Sequence, residues 1–178
     1  MNRLLKPYER EAERAERLGD GILRLAWIDV LLDESELLYR ADEFTPERFA
    51  RDFQVRGGSW RVRDGWLVGE NPDSCPGMAI SRADYFGNIY LEARVATVAP
   101  STHDINFMIN GSWDEAKNER GAAYVAGLEA FWHGSIGFER SPDYTLTAAT
   151  PLFDFVPGRE YVFGLGNADG RLFVTVDG

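Results

Sequence analysis

The clearest signal in the chain is a period-two alternation of apolar and polar residues in short runs, beginning near Ser35. In Asn88 to Val98, Ile89, Leu91, Ala93 and Val95 alternate with Tyr90, Glu92 and Arg94. That is the pattern of a strand with one face in a core and the other outward. His103 to Ile109 repeats it, with Ile105, Phe107 and Ile109 against Asp104, Asn106 and Met108, and Asn110-Gly111 supplies a turn. Ser59 to Gly69 reads as a hairpin, two alternating runs joined by Asp64-Gly65, a pair suited to a type I′ turn. Further strands are expected over Glu36 to Tyr39, Ala122 to Phe131, Ser135 to Glu139, Thr145 to Thr150, Tyr161 to Gly166 and Leu172 to Val176, the last two joined through Asp169-Gly170. Val62, Leu67, Leu91, Val95, Ile105 and Phe107 are the expected core.

Helical signals precede this region. Lys6 to Leu18 is dense in good helix formers, with Pro7 near its start and Gly19 past its end, and Ile22 to Leu32 carries an apolar stripe of mixed period that reads as a second helix. Thr45 to Phe53 reads as a short helical turn capped by Thr45, with Pro46 at its first position. The expected organisation is a helical extension over residues 1–34 followed by an all-β domain over 35–178. Val176-Asp177-Gly178 is a turn signal with no strand after it. Either another segment covers that edge, the N-terminal extension being one candidate, or the domain lacks its closing strand.

Charge narrows the partners. With 19 Lys and Arg against 29 Asp and Glu, the net charge of −10 repels phosphate backbones and anionic lipid, so neither nucleic acid nor a membrane is expected. Two histidines and one cysteine, Cys75, offer no disulfide and little material for a metal cage, so no metal and no cofactor is expected. Met1 to Glu11 lacks an apolar signal-peptide core, and Arg24 and Asp29 interrupt the longest apolar stretch, which sets the expectation of a soluble, cytoplasmic protein. Five Trp, seven Tyr and eleven Phe beside 18 Gly suit a turn-rich β protein with flat aromatic surfaces.

Four stretches, LLYRADEF, GGSWRVRDGWLVGE, YFGNIYLEARV and GREYVFGLGNADGRLFVTVDG, together resemble the concanavalin A-like lectin and glucanase superfamily. The similarity extends over Glu36 to Gly178 and is nearest to bacterial jelly-roll proteins of polysaccharide use and to 3-keto-disaccharide hydrolase-like domains. It implies a two-sheet antiparallel jelly-roll sandwich with sugar-binding groups on a concave face. The glucanases of that superfamily place acidic residues at alternating positions of one strand, and a retaining glycosidase needs two carboxyls about 5 to 5.5 Å apart. No E-x-D-x-x-E run occurs here.

Candidate chemistry follows from residue type. Asp104 and Asn106 share one strand face and offer a carboxylate and an amide to sugar hydroxyls, or else form a solvated face. Leu128 to Gly134 brings together Glu129 as an acid, Trp132 as a stacking ring and His133 as a titratable imidazole, although core packing would equally explain its aromatics. Trp113, in a polar segment read as a loop or short helix, is a cleft-rim residue or a loop anchor, and Arg94 is a further substrate-binding candidate on its strand's polar face. The catalytic candidates are Glu129, His133 and Asp104; the binding candidates are Asn106, Trp132, Trp113 and Arg94. The expected partner is an oligosaccharide or polysaccharide. The expected function is carbohydrate binding or processing, with a glycoside hydrolase or lyase acting on an oxidised disaccharide, or a non-catalytic interaction module, as alternatives.

Overall fold

The computed structural model describes residues 35–71, 77–102, 104–128, 135–143, 145–151 and 155–178. The helices expected before Ser35, together with Cys75 and His103, lie outside the described residues. The protein divides into two units, one taking the described residues up to Thr45 with Val62–Trp66, the other Pro46–Arg61 with Leu67–Gly178.

In the first unit, the Phe44 amide donates to the Gly65 carbonyl at 2.8 Å. The strand expected over Glu36 to Tyr39 does not form, and Leu37 and Leu38 stand 71% and 55% exposed. Only the tip of the expected hairpin, Val62–Trp66, falls in this unit; the hairpin itself is as its sequence dictates, β2 (Ser59–Arg63) pairing with β3 (Trp66–Glu70) around Asp64 at φ +51° and Gly65 at φ +79°. Both turn residues have the positive φ that a type I′ turn requires.

The second unit opens with α1 (Pro46–Asp52), Pro46 in its first turn. Its chain then runs into β1 (Phe53–Val55), which pairs antiparallel with β4 (Ala79–Ser81); both strands are three residues long, too short for periodicity to reveal. The remaining strands build two larger antiparallel sheets. One has the order β11-β10-β9-β6, from β6 (Ile105–Ile109), β9 (Ala123–Leu128), β10 (Ser135–Ser141) and β11 (Thr145–Pro151). The other has the order β13-β12-β5, from β5 (Ile89–Val95), β12 (Tyr161–Ala168) and β13 (Arg171–Val176). Between Asn110 and Ala122 a small hairpin forms from β7 (Trp113–Asp114) and β8 (Glu119–Arg120), where a loop or helix was expected. Asp114 Oδ1 accepts from the amides of Ala116 and Lys117 at 3.0 and 3.1 Å and Asn118 takes φ +53°, so local side-chain and turn chemistry closes a hairpin too short to show alternation.

One core joins the two sheets. Ile109, Ala126, Leu128 and Ile136 of the four-stranded sheet cluster with Tyr161, Phe163 and Leu165 of the three-stranded one, and the Phe107 and Phe163 rings stack at 5.0 Å. The protein is thus predominantly β and antiparallel, in an arrangement compatible with a β-sandwich. The expected core list shifts accordingly. Val95, Ile105 and Phe107 pack against the cluster but remain half-buried, Val62 and Leu67 of the β2–β3 hairpin are not among its members, and Leu91 is 38% exposed because β5 is a sheet edge. The full burial belongs to the central strands β9 and β12.

On the outward face of the three-stranded sheet, β12 presents Gly164 and Gly166. Tyr90 of β5 and Phe173 of β13 reach over them from either side, their rings 5.8 Å apart and 12° from parallel. A Cβ at Gly166 would collide with the Phe173 ring, and one at Gly164 with the Tyr90 ring and hydroxyl and with Thr175. Replacing Gly166 by Ala is therefore expected to destabilise the protein by about 1 to 3 kcal/mol through overpacking, read as a lowered denaturation midpoint.

Candidate functional site

The second face of the four-stranded sheet, opposite the core cluster, follows from its register and is buried except toward the β6 edge. Asn106, Gly127 and Gly137 lie in one row across β6, β9 and β10, and Met108, Val125 and Glu139 lie in the next. Asp104 precedes β6 at φ +80° and is held by Asn106, whose Nδ2 donates to Asp104 Oδ1 at 2.6 Å; both residues are exposed. That hydrogen bond fixes one carboxylate oxygen and leaves the other, with the amide oxygen, as acceptors at the sheet edge.

Further into the sheet stands Glu139, 3% exposed. Its carboxylate takes a hydrogen bond and ion pair from Arg120 Nη2 of β8 at 3.1 Å, between side chains 12% and 4% exposed. Burial pushes the Glu139 carboxyl above the usual carboxylate range despite the Arg120 cation, and the negative charge of Asp104 adds to the rise. Ser141, two residues on and directed to the same face, is 1% exposed, and its Oγ has no hydrogen-bond partner among the described residues. Alternation could not single out Glu139. In the run Phe138-Glu139-Arg140-Ser141, adjacent opposite charges point to opposite faces, and a register shift between Phe138 and Glu139 in the pairing with β11 interrupts the pattern. Arg120, in a polar loop-like segment, carried no sequence signal for its burial.

The hairpin that supplies Arg120 is held at its other strand. The Arg56 guanidinium lies over the Trp113 ring at 5.2 Å to the centroid and grips the Glu115 carboxylate with both terminal nitrogens, Nη1 to Oε2 at 3.1 Å. Trp113 is thus half-buried beneath an arginine, in the geometry of an anchor.

Asp104 and Asn106 therefore come together on one face, with Glu139 within electrostatic reach. Arg94 stands elsewhere, on the outward face of β5 in the other sheet, its side chain 63% exposed and 3.9 Å from Glu160. Glu129, Trp132 and His133 lie outside the described residues. Among the described residues no group of three His, Cys, Asp or Glu side chains is placed to hold a metal ion, and no helix is long and apolar enough to cross a membrane. The sequence matches no family model and no curated protein.

Proposed function

We propose that the protein binds a neutral oligosaccharide or polysaccharide at the exposed Asp104–Asn106 edge of the four-stranded sheet. The observation that carries this reading is the Asp104–Asn106 pair, an exposed carboxylate and amide locked to each other at 2.6 Å on a sheet edge. Adjacent sugar hydroxyls present donors and acceptors at such spacing, and a prefixed pair takes them without a further ordering cost. A net charge of −10 favours a neutral glycan over an acidic one. The resemblance to concanavalin A-like jelly rolls supports the same class of ligand, and a fold of that kind is part of the proposal.

Binding is favoured over turnover by the state of the second carboxyl. Glu139 is 3% exposed and paired with Arg120, so a substrate could reach it only after that ion pair opened. The glycosidase or lyase alternative would need a general acid in contact with the leaving oxygen. Asn106→Ala is expected to weaken binding of cellohexaose, xylohexaose or mannohexaose, whichever the wild-type protein takes, by about 1 kcal/mol, roughly fivefold in Kd by isothermal titration. Wild-type affinity in both Asn106→Ala and Asp104→Ala would contradict the reading.

A further inference from the structure

We infer that the outward face of the three-stranded sheet is a second carbohydrate surface, on which Tyr90 and Phe173 take the apolar face of a neutral pyranose ring while Glu92 accepts from its hydroxyls. This rests on the glycan-binding reading above and adds to it the stacking half of sugar recognition, which the Asp104 face lacks among its described residues.

The geometry begins with the two glycines of β12. A central strand normally projects outward side chains that push neighbouring rings upright. Here Gly164 and Gly166 leave that row without side chains, and the aromatic residues of the two flanking strands extend across it. The result is a pair of near-parallel rings, 5.8 Å apart, each half-buried. Pyranoses present a flat patch of C–H groups to such rings, with hydroxyls around the perimeter.

The perimeter here is polar and fixed. The Tyr90 hydroxyl donates to Glu92 Oε2 at 2.7 Å and lies 2.8 Å from Thr175 Oγ1, so the phenol is locked in place and the exposed Glu92 carboxylate is aimed along the ring edge. Burial pushes the Tyr90 phenol up to about 12, with Glu92 adding to the rise and Thr175 opposing it, so the ring stays neutral at any physiological pH. A carboxylate here disfavours acidic sugars and suits hydroxyl donors. In the segment just before β5, Phe86 is 85% exposed and Tyr85 37% exposed, two more large apolar side chains left in water close in sequence to Tyr90. Exposed apolar patches rimmed by polar groups mark binding surfaces.

The test uses the whole chain and the same three hexasaccharides. Phe173→Leu keeps an apolar side chain over Gly166 but removes the ring, and is expected to weaken binding about tenfold. Glu92→Gln keeps an oxygen to accept from Tyr90 and is expected to weaken binding severalfold without moving the denaturation midpoint. The ring proton resonances of Tyr90 and Phe173 in the wild-type protein are expected to shift on titration with the sugar, a readout independent of whether either variant folds. Unmoved ring resonances would overturn the inference; if Asn106→Ala still weakened binding, the Asp104 face would stand alone. Shifted rings with wild-type affinity in both Asn106→Ala and Asp104→Ala would uphold the inference and overturn the first site. A wild-type protein that binds none of the three sugars would overturn both.

Discussion

Truncating Phe163 to Ala is expected to cost about 3 to 5 kcal/mol of stability. Phe163 is 0% exposed, sits in the central strand β12 and stacks on Phe107 of the opposing sheet at 5.0 Å. Its loss removes the transfer free energy of a full ring and leaves a cavity between two sheets whose backbones are hydrogen-bonded and cannot collapse into it. Phe107→Ala should cost less, because that ring is only half-buried and sits on the edge strand β6. Urea denaturation of the two variants checks both the magnitude and the order; equal midpoints would place the centre of the core elsewhere.

Removing Arg120 is the second large effect. Arg120→Ala leaves Glu139 buried without the cation it faces, and breaking a buried pair from one side costs about 3 to 5 kcal/mol. The loss depends on pH, with a sign that follows from the raised Glu139 carboxyl. A group that binds its proton more tightly in the folded than in the unfolded state makes stability fall as pH rises, from near the ordinary value of about 4.3 through the raised folded value. In Arg120→Ala the folded value rises further, so the deficit should be greatest at neutral pH and shrink on acidification as Glu139 takes up a proton. Glu139→Gln should flatten this part of the wild-type profile. Midpoints measured from pH 4 to 8 test the account, and a deficit that grows on acidification would contradict it.

What the sequence revealed was governed by how much pattern each element carries. β5 and β6 are five to seven residues long with a clear apolar period, β10 to β13 are runs of six to eight residues bounded by turn signals, and the Asp64-Gly65 turn declares its own geometry, so these features were legible. β1, β4, β7 and β8, at two or three residues each, owe their existence to pairing and turn contacts, which leave no periodic trace. Burial was less legible than secondary structure. Leu91 and Phe107 obey the alternation perfectly, yet they lie on edge strands, and strand order is a long-range property. The same holds for function. Asp104 and Asn106 were adjacent on one strand and could be paired by eye, whereas Glu139 with Arg120, and Tyr90 with Phe173, meet only through the register of separate strands.

The most direct test of the glycan-binding account is backbone amide chemical-shift mapping of the whole chain during titration with cellohexaose, xylohexaose and mannohexaose. The account predicts saturable shifts for at least one of these sugars, centred on Asp104 to Met108. A spectrum in which Asp104, Asn106 and Met108 stay unmoved with every sugar would contradict it.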